Sequence, residues 1–117
     1  MKHTVSLKQN HEFRRLYNKG MTAASPYMAI YCRKNRSSES RLGLTTGLKL
    51  GNAVRRNRVR RRLREVYRTN EHRLLPGRDI VIVARVKAVY ARYDELERSF
   101  LSLARKLELL APAEDRP

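Results

Sequence analysis

The sequence predicts an α+β two-layer sandwich in the order α-β-β-β-α-β-α, with helices packed on a mixed four-stranded sheet. Three observations predict it. Residues 79–84 (DIVIVA) form a continuous β-branched run that reads as a strand buried on both faces. Leu96, Phe100, Leu103, Leu107 and Leu110 repeat at helical spacing, a stripe made to pack on a sheet. Along the central segment, Leu63, Val66, Tyr67 and Leu74 fall within about 100° of helical arc around Val59, a second core-facing stripe.

The other elements follow from local signals. Asn10 caps a first helix in which Phe13, Leu16 and Tyr17 share a face, and Gly20 stops it. Pro26 leads into residues 27–33, whose apolar and aromatic content predicts a strand. The polar residues 35–40 predict a hairpin loop before a short strand at 41–46. Lys49 and Leu50 are the candidate for a third strand. Pro76-Gly77 is a turn signal that ends the central helix. The last helix begins near Tyr93-Asp94-Glu95, with its acids in the first turn where the helix dipole favours them. At 117 residues the chain is one domain, 1–117, with flexible ends expected over 1–9 and 111–117.

Charge narrows the function. Lys and Arg number 27 against 11 Asp and Glu, a net charge of +16. Self-repulsion of that size makes sense opposite a polyanion, and the obvious one is nucleic acid. Cys32 is alone, so no intramolecular disulfide forms and a reducing cytoplasm is the expected location. His3, His11 and His72 are scattered without zinc-ligand spacing. The start, MKHTVSLKQNHEF, has no apolar stretch like a signal peptide, and no run approaches membrane-spanning length.

The charge is concentrated. Residues 51–68 read GNAVRRNRVRRRLREVYR, with eight arginines and one acid, Glu65. On a helix, Asn57, Arg60, Arg61, Arg64 and Arg68 fall opposite the apolar stripe, flanked by Arg58 and Arg62. Arg55 and Arg56 lie in the first turn, where positive charge opposes the dipole; that mild penalty points to anion binding rather than helix stabilisation. A solvated ion-pair face would need acids at i±3 or i±4, and Glu65 alone is available. Arginine grips phosphate with paired hydrogen bonds. A row spanning about 16 Å of helix could follow several backbone phosphates of structured RNA or of duplex DNA, without deciding between them.

With Gly51-Asn52-Ala53-Val54 followed by Arg56-Asn57-Arg58, Arg60, Arg61 and Arg64, the chain resembles the protein subunit of bacterial ribonuclease P. The resemblance spans residues 10–107 and includes the Phe-containing first helix ending at Gly20, Arg41-Leu42-Gly43-Leu44, and Ile82-Val83-Ala84-Arg85. There are departures. Family members commonly carry Ser-Lys-Lys before the signature, where this chain has Gly47-Leu48-Lys49, so one expected phosphate contact is missing at Leu48. Positions that are often Phe are here Tyr17 and Met28.

The resemblance implies an α/β sandwich with a left-handed crossover between parallel strands, an exception to the usual handedness. It implies a non-catalytic protein subunit that binds the catalytic ribonuclease P RNA and precursor tRNA and assists endonucleolytic removal of the 5′ leader. The chemistry would reside in the RNA with its Mg²⁺, and no obligate protein partner or membrane is implied. The surface facing the catalytic RNA would comprise Lys49, Asn52, Arg55, Arg56, Asn57, Arg58, Arg60, Arg61, Arg64 and Arg68. A cleft between the first helix and the sheet would take the single-stranded leader, using Phe13, Tyr17, Ala29, Tyr31, Arg33 and, past the last strand, Arg85. Aromatics beside basic residues suit unpaired nucleotides, because stacking tolerates any base. Core packing is the competing role for Phe13 and Tyr31. A structural RNA-binding protein, such as a ribosomal component, is the alternative; it would have no reason to sense a leader.

Overall fold

The computed structural model describes residues 1–112 and places the DIVIVA run at the centre of a five-stranded sheet. The elements are β1 (Thr4–Ser6), α1 (Asn10–Lys19), β2 (Met21–Ala24), β3 (Met28–Lys34), β4 (Ser40–Thr45), α2 (Ala53–Asn70), β5 (Arg78–Ala84) and α3 (Tyr93–Lys106). Tight 3₁₀ turns at Leu48–Leu50, Glu71–Arg73 and Val86–Val89 flank α2 and lead to α3. Strand order is β1-β4-β5-β3-β2. β5 runs parallel to β4 and antiparallel to β3, so the β4-α2-β5 segment is a crossover unit with the arginine helix as its connection.

Period-two alternation sorts each strand's residues between two different covers. Met28, Ile30 and Cys32 of β3, with Ile80 and Ile82 of β5 and Leu42 of β4, pack on Val59, Leu63, Val66 and Tyr67 of α2 and Leu96, Phe100 and Leu103 of α3. The other face carries a smaller cluster of Leu7, Leu16 and Val81, with Phe13, Tyr31 and Val83 packed against it. The α+β sandwich class holds, but α1 lies alone on the face opposite α2 and α3. One sheet face is therefore only partly covered, and that opening becomes the cleft described below.

Several expectations are corrected. Residues 1–9 are not a free arm: β1 pairs in parallel with β4, and Leu7 is buried. Glu71 clasps the strand, accepting hydrogen bonds from the Lys2 and His3 backbone N–H groups and from the Thr4 hydroxyl. Residues 35–40 do not close a hairpin, because β5 inserts between β3 and β4. The loop is instead ordered by Asn35, whose Nδ2 donates to the Glu39 carbonyl at 3.0 Å and to Asp79 Oδ1 at 2.9 Å. Polar loop chemistry looks the same in both cases. Lys49 and Leu50 form a 3₁₀ turn rather than a strand, and the unforeseen strands are β1 and β2.

Helix ends also differ from expectation. Gln9 rather than Asn10 is the α1 N-cap, and α2 stops at Asn70, short of Pro76. Asn70 turns its amide back, donating to the Val66 carbonyl at 2.8 Å and to Glu97 at 2.9 Å, which ties α2 to α3. Leu74 therefore lies beyond the helix, bridged to Leu110. Ala111 donates to the Arg73 carbonyl at 2.8 Å, so the expected tail is anchored at its first residue; 113–117 lie outside the described residues. Among the described residues no helix is long and apolar enough to cross a membrane.

Candidate nucleic-acid interface

Gly51 sets up the arginine helix. Its φ of +118° is a conformation that L side chains rarely adopt, and it redirects the chain from the 3₁₀ turn into α2. Asn52 is the N-cap, its Oδ1 accepting from the Arg55 backbone N–H at 3.0 Å. The Arg55 side chain folds back so that its Cδ would lie 2.9 Å from a Cβ on Gly51. Both signature residues therefore shape the helix start, whatever else they touch.

Along α2 the arginines divide by environment. Arg55, Arg58, Arg61 and Arg64 are exposed together with Asn57, and no acid of the described chain pairs with these four arginines. Arg68 is exposed but paired, its Nε 2.6 Å from Glu65 Oε1, and that hydrogen bond holds the Glu65 carboxyl below its ordinary value. Arg60 is half-buried. Its Nη1 donates to the Leu44 carbonyl at 3.0 Å and its Nη2 to Thr46 Oγ1 at 2.8 Å, so it turns toward the sheet rather than away from it. Arg62 donates to the Ala91 carbonyl at 2.6 Å, and burial, with the nearby Arg58 charge, lowers its guanidinium from the ordinary value. Arg56 is half-buried with an unpartnered Nε. The outward row is thus Asn57, Arg61 and Arg64, with Arg58 beside it.

The second site lies on the α1 face of the sheet. Phe13 packs over Gly43 of β4, where a Cβ would come within 2.6 Å of its ring; only glycine lets the ring settle. Tyr17, 39% exposed, meets Tyr31 edge-on with centroids 4.9 Å apart, and its hydroxyl lies 3.2 Å from Thr45 Oγ1. A cleft of about 490 Å³ opens here between α1 (Asn10, Phe13, Arg14, Tyr17), β4 and Arg60 of α2. Arg60 thus joins two sites that the sequence treats as separate.

Strand register places the remaining cleft candidates. Ala29, Val83 and Thr45 form one cross-sheet row at the open end, and Arg85 follows β5 beyond it, its Nη1 donating to the Ser25 carbonyl at 2.9 Å. Arg33 lies at the other end, level with Asp79 and Arg41. There Arg41 grips Asp79 with two hydrogen bonds of 2.9 and 2.6 Å and also pairs with Glu12 of α1. Burial pushes the Asp79 carboxyl up, but hydrogen bonds from Arg41 and Asn35 outweigh it and hold the group below its ordinary value. Ala29, Tyr31 and Arg33 share a sheet face as predicted, yet only Tyr31 meets the aromatic pair. Arg14, Thr45 and Thr46 were missed. For Arg14 a signal existed: Asn10, Arg14 and Tyr17 are spaced i, i+4, i+7 on one helix face.

Comparison with known proteins gives the family. A family model described as Ribonuclease P matches residues 1–108. The ribonuclease P protein component of Natranaerobius thermophilus is 39% identical over 110 residues, covering 94% of this chain and 96% of that protein. That of Clostridioides difficile is 38% identical over 107 residues, covering 91% and 94%. The RNase P protein of Staphylococcus aureus superposes with a TM-score of 0.82 at 29% identity, covering 91% of this chain and 97% of that one. That of Thermotoga maritima gives 0.78 at 30% identity, covering 86% and 96%. With matches of sequence and fold across nearly its whole length, the chain that carries this basic helix and aromatic cleft belongs to the ribonuclease P protein family.

Proposed function

We propose that this chain is the protein component of a ribonuclease P holoenzyme, binding the catalytic RNA through α2 and the 5′ leader of precursor tRNA through the α1 cleft. The observation that carries the reading is the division of arginines on α2. Arg55, Arg58, Arg61 and Arg64 are exposed without a carboxylate partner among the described residues, while Arg60 links that face to the cleft of Phe13 and Tyr17. A merely solvated helix would carry acids among its arginines. The cleft supplies stacking surfaces with basic residues on its walls, which suits single-stranded nucleic acid.

The cleavage chemistry belongs, in this reading, to the RNA and the Mg²⁺ held mainly by its phosphates. Several of the described carboxylates have structural work: Glu12 and Asp79 hold Arg41, Glu71 holds β1, Glu97 holds Asn70, and Asp94 pairs with Arg92 and Arg98. By neutralising phosphate repulsion, the arginine face lowers the Mg²⁺ concentration the RNA needs. The test is cleavage of precursor tRNA by the cognate catalytic RNA at low Mg²⁺, with and without the protein. Stimulation by the protein is expected; its absence rejects the assignment.

A further inference from the structure

β1 is an edge strand with little ladder of its own, pairing with β4 at three positions: Thr4 with Ser40, Val5 with Arg41 and Ser6 with Leu42. Glu71, one residue past α2, adds to that hold. Its carboxylate accepts from the Lys2 and His3 backbone N–H groups at 3.0 and 3.3 Å and from the Thr4 hydroxyl. The Thr4 hydroxyl also lies 2.9 Å from the hydroxyl of Tyr67, which is buried on α2. Just past the strand, the Leu7 N–H donates to the Leu42 carbonyl at 2.9 Å. The Leu7 side chain is buried with Leu16 in the cluster against which Phe13 and Tyr31 pack. A Cβ on Gly43 would meet Leu7 Cδ2 at 3.4 Å and the Phe13 ring at 2.6 Å, so both side chains sit over the same glycine. The alternation of side chains along β1 thus joins the end of the arginine helix, on one sheet face, to the floor of the aromatic cleft on the other.

We propose that Glu71 is a positioning residue for leader binding: by fastening β1 it fixes Leu7, and Leu7 fixes the seat of Phe13 on the wall of the cleft. This rests on the leader-binding reading above and adds to it a residue that touches no part of the cleft lining. Glu71 is also an acid in a chain of net charge +16. By charge alone, removing it should tighten the grip on any RNA. A weaker grip on the leader runs against electrostatics, and displacement of β1 is its cause.

The experiment measures precursor and mature tRNA binding to holoenzyme carrying wild-type protein, Glu71→Ala, Glu71→Gln, Leu7→Ala, or Leu7→Ala combined with Glu71→Ala. Glu71→Ala should weaken precursor binding by about fivefold and spare mature tRNA binding. Glu71→Gln changes the charge identically but keeps a carbonyl oxygen for the β1 N–H groups, so it should recover most of the lost affinity. Leu7→Ala should also weaken precursor binding, and the double variant should lose no more than the larger single loss, because both changes break one linkage. Circular dichroism at the assay temperature checks that each variant is folded; should Leu7→Ala fail that check, the two Glu71 variants decide alone. Precursor binding by Glu71→Ala at or above the wild-type level overturns the inference and leaves the holoenzyme assignment intact. So does an equal loss for mature tRNA, a Glu71→Gln loss as large as that of Glu71→Ala, or additive losses in the double variant. Wild-type holoenzyme that binds precursor and mature tRNA alike overturns the leader reading itself, and this inference with it.

Discussion

Phe13 rests on the bare α-carbon of Gly43, close enough that an added methyl would come within 2.6 Å of ring atoms Cε1 and Cζ. One helix-to-sheet contact therefore fixes the tilt of α1 and the width of the cleft beside it. Gly43→Ala should push the ring outward and cost about 1–3 kcal/mol of stability through overpacking. Urea unfolding measures the cost. Binding of precursor tRNA, but not of mature tRNA, should fall with it, since the displaced ring narrows only the cleft.

Arg61 and Arg64 are exposed and have no carboxylate partner in the described chain. Arg61→Ala and Arg64→Ala should each leave the melting temperature unchanged and flatten the log–log salt dependence of RNA affinity by about 0.7–0.9 for each phosphate no longer neutralised. Titrations at several salt concentrations measure the slope. An unchanged slope removes that arginine from the interface.

Arg60→Ala should behave differently. It strips donors from the Leu44 carbonyl and the Thr46 hydroxyl, so a stability loss of about 1–3 kcal/mol should accompany the loss of RNA affinity. Thermal melts of the three arginine variants side by side give the comparison. Equal melting temperatures would mean that Arg60 is as free in solution as its neighbours.

Tyr31→Ala removes the edge contact with Tyr17 and one stacking surface. Precursor binding should weaken by about 1–3 kcal/mol while mature tRNA binding holds. Equilibrium binding of the two RNAs decides it. Equal weakening would assign Tyr31 to packing alone.

The Asp79 carboxyl is held below its ordinary value of 3.8, so its pairing with Arg41 contributes stability in full above that pH. The contribution fades as pH falls through the lower folded-state value. Asp79→Asn should therefore be less stable than wild type at neutral pH, and the gap should close as pH drops from about 5 to about 2. Urea midpoints across that range supply the test. Glu65, Glu71, Asp94 and Glu95 are also held low and add to the wild-type acid sensitivity, which is why the difference between the two proteins is the useful quantity.

Much of this was legible in the residues. The stripe of Val59, Leu63, Val66 and Tyr67 fixed which way α2 turns, and the β-branched run of β5 announced its burial. What escaped was non-local. Thr4-Val5-Ser6 has too few residues to read as a strand, and what holds it is a carboxylate at Glu71. Arg60 and Arg61 are adjacent and chemically identical, yet one points to the sheet and the other to solvent. A helical wheel sets them about 100° apart and puts Arg60 beside the edge of the apolar stripe; what it lacks are the partners, Leu44 and Thr46. The hairpin error has the same origin: residues 35–40 say that the chain turns, not which strand lies across the gap.

That late strand has a consequence for how the polypeptide is made. Among the described residues β5 is the only strand hydrogen-bonded to both β3 and β4, and it is translated after α2. Until residue 84 clears the ribosome, the nascent chain can assemble only two separate ribbons, β2–β3 and β1–β4. During that interval the arginine helix has no complete sheet to cover its apolar side. Fragments ending before the keystone strand should emerge highly charged, unfolded and prone to stick to whatever RNA is nearest.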